Sequence, residues 1–142
     1  MGTGPDARGR YHADILRLSD EELEETHDYI QWLFPLREPS IAAPGSPYLR
    51  NKATVQVLRE DADVRENMVN ALVRMERFYR DTDHWLTQDN HNHLRITRIL
   101  KSVLLLSSRE DAKDFYDFVM GRVRDAMPVS EESLEYWKRS LN

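Results

Sequence analysis

Two arginines, Arg95 and Arg98, are the side chains of this sequence best suited to hold an anion. On a helical projection they share one strip with His91 and Ser102, beside a strongly apolar face. A partly buried guanidinium needs a carboxylate, a carbonyl oxygen or an anionic ligand to offset its lost hydration. We weigh an anion site against an internal ion pair, which is the commoner arrangement for a buried arginine. The candidate acids for such a pair are Glu24, Asp28 and Glu38.

The histidines offer a second kind of chemistry, proton transfer. His27 shares a helical side with Leu23 and Ile30, a position typical of a histidine that packs in the core. The alternative places His27 close to His91 and Arg98, in a polar cavity between two helices. The spacing alone leaves both arrangements open.

Metal coordination is the weaker alternative for the histidines. His91 and His93 are two positions apart, so their side chains diverge on a helix, and no third ligand among His84 and Asp89 has diagnostic spacing. The chain has no cysteine, which excludes disulfides, thiolate nucleophiles and cysteine-bound zinc. We therefore predict no metal site and no cofactor.

Two aromatic residues, Tyr29 and Trp32, point away from the main apolar face of the helix expected to carry them. We expect the long connection from Leu36 to Asn51, or the N-terminal helix, to cover both rings. If the cover is partial, the rings form a hydrophobic groove suited to a peptide.

The elements that must position these residues are all helices, because no segment alternates apolar and polar residues between hairpin turns. We predict one all-α domain of six or seven helices, without a sheet, over residues 11–142. The second helix is expected to run unbroken to Phe34, where Pro35 stops it. The expected starts, in chain order, are Tyr11, Ser19, Thr54, Asp61 or Asp63, Asn90 or Asn92, Ser107 and Ser130.

Length and charge exclude several classes of protein. The 142 residues fit a single domain, and 20 Lys and Arg against 25 Asp and Glu leave a net charge of −5. This charge argues against a general surface for nucleic acid or anionic membrane. No aliphatic run approaches the roughly 20 residues that cross a bilayer, and no segment has the pattern of a signal peptide. We expect residues 1–10 to be a disordered start and the protein to be cytoplasmic.

Two blocks of the sequence resemble a known family. The first block is HDYIQWLFPLRE at residues 27–38, and the second is HNHLRITRILKS at residues 91–102. Together they are similar to the conserved N-terminal domain of the opioid growth factor receptor family, here as a short, single-domain member. Weaker similarity extends over almost the whole chain. The chain departs from the family pattern at His93, where the family has a tyrosine, and it has no basic nuclear-import cluster.

The resemblance implies a non-enzymatic receptor for the opioid peptide methionine-enkephalin, with membrane or nuclear association. We hypothesise that this peptide, or a small anionic ligand, lies between the two helices that carry the blocks. Arginines would receive a carboxylate, acids the terminal amine, and aromatic residues the rings of the peptide. The expected ligand-binding residues are Arg98, Arg95, His27, His91, Asp28, Tyr29 and Trp32, with Glu24 as the other acid.

Two alternatives to a peptide receptor stay open. The chain could be a helical scaffold that docks to another protein through a flat Trp32 patch, without a cavity. It could also be an enzyme that uses His27 or His91 as a general base beside Arg95 and Arg98. The enzyme is disfavoured because the sequence has no Ser-His-Asp context, phosphate loop or glycine motif.

Overall fold

Caps and apolar faces divide the chain into helices whose ends are fixed by polar side chains. A computed structural model describes residues 9, 11–26, 28–37, 49, 51–126 and 129–142, and within these ranges it contains eight helices and no strand. The helices are α1 (His12–Leu16), α2 (Asp20–Glu25), α3 (Tyr29–Leu33), α4 (Lys52–Glu60), α5 (Ala62–Asp81), α6 (His91–Leu106), α7 (Arg109–Ala126) and α8 (Glu131–Arg139). The predicted all-α class is thereby confirmed. Nearly all of the expected disordered start, and most of the connection from Leu36 to Asn51, lie outside the described residues.

The segment predicted as one long second helix is divided in two. Between α2 and α3 the chain leaves the helical conformation, and Thr26 has an extended backbone with φ −93° and ψ 126°. The prediction of one unbroken helix as far as Phe34 was therefore wrong, although the chain does stop being helical before Pro35, as expected.

A long-range contact explains this break. The carbonyl oxygens of Leu23, Glu24 and Thr26 accept hydrogen bonds from the guanidinium of Arg95, at 3.1, 3.4 and 2.7 Å. In an unbroken helix, the same oxygens would accept from backbone amides four residues further along. One arginine on α6 thus supplies donors to three carbonyl oxygens where the helix breaks, which nothing in the local pattern indicates.

Two of the predicted caps also needed correction. Asn51, and not Thr54, caps α4, because its Oδ1 accepts from the backbone N–H of Thr54 at 2.8 Å. At the start of α7, the Oγ of Ser108 accepts from the backbone N–H of Asp111 at 3.0 Å, one residue after the expected Ser107. The predicted caps that are confirmed are Ser19, Asp61, Asn90 and Ser130.

Helix α6 is the centre of the domain. It contacts α3, α4, α5, α7 and α8, and its apolar face is part of one buried cluster that collects residues from every helix. Apolar residues at helical spacing predict one buried face for α5, made of Val64, Met68, Ala71, Leu72, Met75, Phe78 and Tyr79. All of them are buried except Leu72, which is partly buried. None of the helices described in the structure is both long and apolar enough to cross a bilayer. The core therefore positions the two sequence blocks by packing α3 directly against α6.

Candidate functional site

Arg95 holds the break between α2 and α3. Besides the three carbonyl oxygens, its Nη1 donates to the Oδ1 of Asn92 at 3.2 Å, and its guanidinium lies 5.2 Å from the centre of the Tyr29 ring. The acceptors are thus carbonyl and amide oxygens and not the carboxylates predicted for an internal ion pair. With 6% of its surface exposed, Arg95 has a packing role in this conformation. Direct contact between Arg95 and a ligand stays a prediction.

The two aromatic residues of α3 occupy different environments. Tyr29 is fully buried, and burial raises its pKa to about 12 against the opposing effect of the Arg95 charge. Trp32 is only partly buried and packs against the edge of the core. Of the two rings, Trp32 is the one whose surface a ligand could reach.

Arg98 connects α6 to the end of α3. Its Nε donates to the carbonyl oxygen of Phe34 at 2.8 Å, and one turn further Ser102 donates to the carbonyl oxygen of Pro35, also at 2.8 Å. The side chain of Arg98 remains partly exposed. Arg98 therefore fixes the position of α3, and its Nη2 atom is buried although the residue as a whole is partly exposed.

Asp28 lies at the opposite end of α3, at its N-cap position, and is partly exposed. Arg95 donates to the carbonyl oxygen of Thr26, before α3, and Arg98 donates to that of Phe34, after α3. Helix α3 therefore runs alongside α6 in the same direction. Asp28 thus precedes Trp32 by about 6 Å of helix, and Arg98 contacts the chain two residues beyond Trp32, at Phe34. We call this surface the α3–α6 seam and define it by Asp28, Trp32 and Arg98.

His91 belongs to a different polar group, which we call the Glu24 cluster: Glu24, His84, His91 and Asn92. The two carboxylate oxygens of Glu24 each lie 2.5 Å from an imidazole Nε2, one of His91 and one of His84. Asn92 donates to the same carboxylate at 2.9 Å. The cluster ties the end of α2 to the start of α6 and to the connection before it.

The electrostatics of the Glu24 cluster favour a charged carboxylate. Burial by itself raises the pKa of Glu24, but hydrogen bonds from Asn92 and His84, with the charges of His91 and His84, outweigh burial and leave the pKa lowered. A carboxylate held in this way accepts protons poorly. It is better suited to bind cationic groups than to act as a general base.

His93 is held by two structural partners. Its Nε2 lies 2.7 Å from the carbonyl oxygen of Trp85, so this nitrogen donates, and its Nδ1 lies 2.9 Å from the hydroxyl of Ser133. His93 and His91 therefore bond to different partners. Within the described ranges, no group of three or more His, Asp or Glu side chains is arranged to hold a metal ion.

Two residues singled out in the sequence lie outside the described residues. They are His27, a predicted site residue, and Glu38, a candidate partner for the arginines. The predicted cavity that joins His27 to His91 and Arg98 stays a prediction for the same reason.

Asn92 is the residue whose importance the sequence did not indicate. Its fully buried amide accepts from the hydroxyl of Tyr79 and from Arg95, both at 3.2 Å, and donates to Glu24. Its only sequence signal was a place near a helix start, where asparagine is common as a cap. Asn92 in fact links the Glu24 cluster to the arginine that holds the α2–α3 break.

Known proteins similar to this chain share one description. Residues 13–83 match the family model for the opioid growth factor receptor conserved region. The opioid growth factor receptor of Mus musculus is 40% identical over 99 residues, which cover 57% of this chain and 15% of the relative. The opioid growth factor receptor of Homo sapiens is 33% identical over 136 residues, which cover 81% of this chain and 20% of the relative.

A second group of relatives carries a related description. The opioid growth factor receptor-like protein 1 of Rattus norvegicus is 29% identical over 145 residues, covering 82% of this chain and 29% of the relative. The chain thus spans less than a third of the length of these relatives. No solved structure matches it.

Proposed function

Because this chain belongs to the opioid growth factor receptor family, we propose that it is a non-enzymatic domain that binds a short peptide such as methionine-enkephalin. The names of the relatives support a receptor function, but those proteins are several times longer than this chain. That this domain binds the peptide without the rest of such a protein is therefore part of the proposal.

The observation that carries the proposal is the order of groups along the α3–α6 seam. Asp28 would place a carboxylate near a peptide amine, Trp32 would supply a partly exposed aromatic surface, and Arg98, whose Nε is bonded to Phe34, would attract a carboxylate through its charge. A small peptide with charged termini and an aromatic side chain is complementary to this order. A small anionic ligand would use Arg98 without the other two residues.

The surroundings of His91 and Arg95 support binding over catalysis. His91, one of the two histidines of the enzyme hypothesis, faces the carboxylate of Glu24. Arg95, the other arginine of the enzyme hypothesis, already donates to three carbonyl oxygens. These groups would have to give up existing partners before they could stabilise a reacting anion.

The test is calorimetric titration of the purified chain with methionine-enkephalin and with a scrambled peptide of the same composition. We expect saturable heat with the first peptide alone, and a loss of about tenfold in affinity in Asp28→Asn and Arg98→Ala, since each removes one charged contact. Arg80→Ala, which removes an exposed arginine on α5, serves as the charge-matched control.

Two results would contradict this proposal. A folded wild-type chain that gives no heat, or equal affinity for the scrambled peptide, removes specific peptide binding. Unchanged affinity in both Asp28→Asn and Arg98→Ala removes the seam as its site. Circular dichroism of each variant shows whether a lost signal reflects binding or unfolding, and the isosteric Asp28→Asn keeps the test valid if Arg98→Ala unfolds.

A further inference from the structure

A groove separate from the α3–α6 seam lies between the start of α6 and the first turns of α8. It has a volume of about 440 Å³, which is within the range of binding pockets for small ligands and side chains. The residues that matter for its chemistry are Asp89, Leu94, Glu132 and Tyr136 on its walls, above His93 and Ser133. We call this surface the α6–α8 groove.

The walls of the α6–α8 groove carry two large apolar side chains in contact with water. Leu94 on α6 is 68% exposed and Tyr136 on α8 is 50% exposed. A single exposed apolar residue is ordinary on a protein surface. Here two such side chains from different helices line one concave surface, which is the arrangement that accepts an apolar side chain of a partner.

The base of the groove is held together by hydrogen bonds. His93 lies between the carbonyl oxygen of Trp85 and the hydroxyl of Ser133, and the indole of Trp137 donates to the carbonyl oxygen of His93 at 3.0 Å. These bonds tie α8 to α6 and leave His93 only 5% exposed. A ligand would therefore meet a surface that is already formed, which lowers the entropy cost of binding.

The charge of the groove is negative. Helices α6 and α8 both begin there, and each N-terminus contributes roughly half a positive charge. The carboxylates of Asp89 and Glu132 contribute two negative charges, so the balance with the helix termini is about one negative charge. Neither carboxylate is engaged in an ion pair with another described residue. His91 also lines the groove, but its Nε2 lies 2.5 Å from the carboxylate of Glu24, which offsets any positive charge on the ring. A cationic group is thus favoured over an anionic one.

We propose that the α6–α8 groove binds a linear segment of another protein that presents a large apolar side chain next to lysine or arginine. The apolar side chain lies between Leu94 and Tyr136, and the cation pairs with Asp89 or Glu132. The site is independent of the proposed peptide receptor, because it shares no residue with the α3–α6 seam.

The experiment uses three blocked pentapeptides as probes: Ala-Lys-Phe-Lys-Ala, Ala-Lys-Ala-Lys-Ala and Ala-Glu-Phe-Glu-Ala, each acetylated and amidated to remove terminal charge. Each is titrated into the isotope-labelled chain while amide signals are followed by nuclear magnetic resonance. We expect saturable shifts at the groove with the first peptide, about tenfold weaker binding of the second, and none with the third. Added salt weakens the binding because both carboxylates are at the surface.

Variants locate the binding. Leu94→Ser and Glu132→Gln change exposed side chains, so the fold is expected to survive. Each variant should lower the affinity for the first peptide by about tenfold. Val73→Ser is the matched control, because Val73 is 60% exposed on α5 and lies outside the groove. Asp28→Asn is expected to leave this binding unchanged, which separates it from the proposed receptor site.

Three results would overturn the proposal. Tighter binding of the glutamate peptide would mean that the two helix N-termini dominate and the groove takes anions. Equal binding by wild type, Leu94→Ser and Glu132→Gln would place the peptide elsewhere. Self-association of the chain that rises with concentration and disappears in Leu94→Ser would assign the groove to a second copy of this chain.

Discussion

At the scale of single residues, Glu24 shows how neighbours decide the behaviour of a group. The sequence offered Glu24 as a partner for a buried arginine, or as an acid that accepts the terminal amine of a peptide. In the structure, His84, His91 and Asn92 surround it. Arg95 reaches the backbone carbonyl oxygen of Glu24 and not its carboxylate.

The lowered pKa of Glu24 predicts a pH dependence of stability. A carboxylate with a lower pKa in the folded state stabilises the fold above its unfolded value, 4.5, and this contribution is lost as the pH falls through the folded pKa. We expect Glu24→Gln to flatten the fall in the free energy of unfolding below about pH 5. Urea denaturation at a series of acidic pH values measures this slope.

Glu76 provides a control of opposite sign. Burial raises its pKa, so its protonated form is favoured in the folded state and its contribution to stability grows as the pH falls. Glu76→Gln should therefore make the acid loss of stability steeper. Equal slopes in wild type, Glu24→Gln and Glu76→Gln would show that neither environment perturbs titration.

At the scale of elements, the break between α2 and α3 depends on a residue almost seventy positions away in the sequence. Three carbonyl oxygens at the end of α2 accept from Arg95, and Tyr29 lies under its guanidinium. An uninterrupted helix would rotate Tyr29 away from this position. The orientation of α3, and therefore of the α3–α6 seam, depends on α6.

Replacing Arg95 should consequently destabilise the whole domain. Arg95→Met keeps an apolar side chain of similar length but leaves three carbonyl oxygens without their donor, and we expect a loss of about 3 kcal/mol in the free energy of unfolding. Urea denaturation monitored by circular dichroism measures it. Arg139→Met, at an exposed pair with Glu135, is the control and should change stability by less than about 0.5 kcal/mol. Similar losses in both variants would contradict a structural role for Arg95.

At the scale of the whole molecule, one apolar cluster joins all the helices. Trp85 precedes α6 and Trp137 lies on α8, and both are fully buried in this cluster. His93 contacts both, through the carbonyl oxygen of Trp85 and the indole of Trp137. There is no second core within the described residues that could unfold separately.

A single core predicts a single unfolding transition. In Trp32→Phe, the remaining tryptophan fluorescence comes from Trp85 and Trp137, and its urea midpoint should coincide with the loss of helical circular dichroism. The physical reason is that both indoles are fully buried in the same cluster, so exposing either one requires the shared core to open. A fluorescence midpoint clearly below the circular dichroism midpoint would show that α8 detaches first.

The caps and apolar periodicities of the sequence determined the class of the fold and most helix limits. The Ser19, Asp61, Asn90 and Ser130 caps, the buried face of α5 and the stop before Pro35 all follow from interactions within about four residues. The two sequence blocks also identified the family, because they contain many residues in a fixed order. These features are local, so a linear pattern is enough to predict them.

Only the tertiary structure decided what the candidate site residues contact. It made Arg95 a donor to carbonyl oxygens, buried Tyr29 and left Trp32 partly exposed, and it joined Glu24 to two histidines. It also formed the α6–α8 groove from helices far apart in the sequence. The sequence shows which residues can donate or accept hydrogen bonds. Which of them pair depends on distances across the core, and the periodicity within one helix carries no information about those distances.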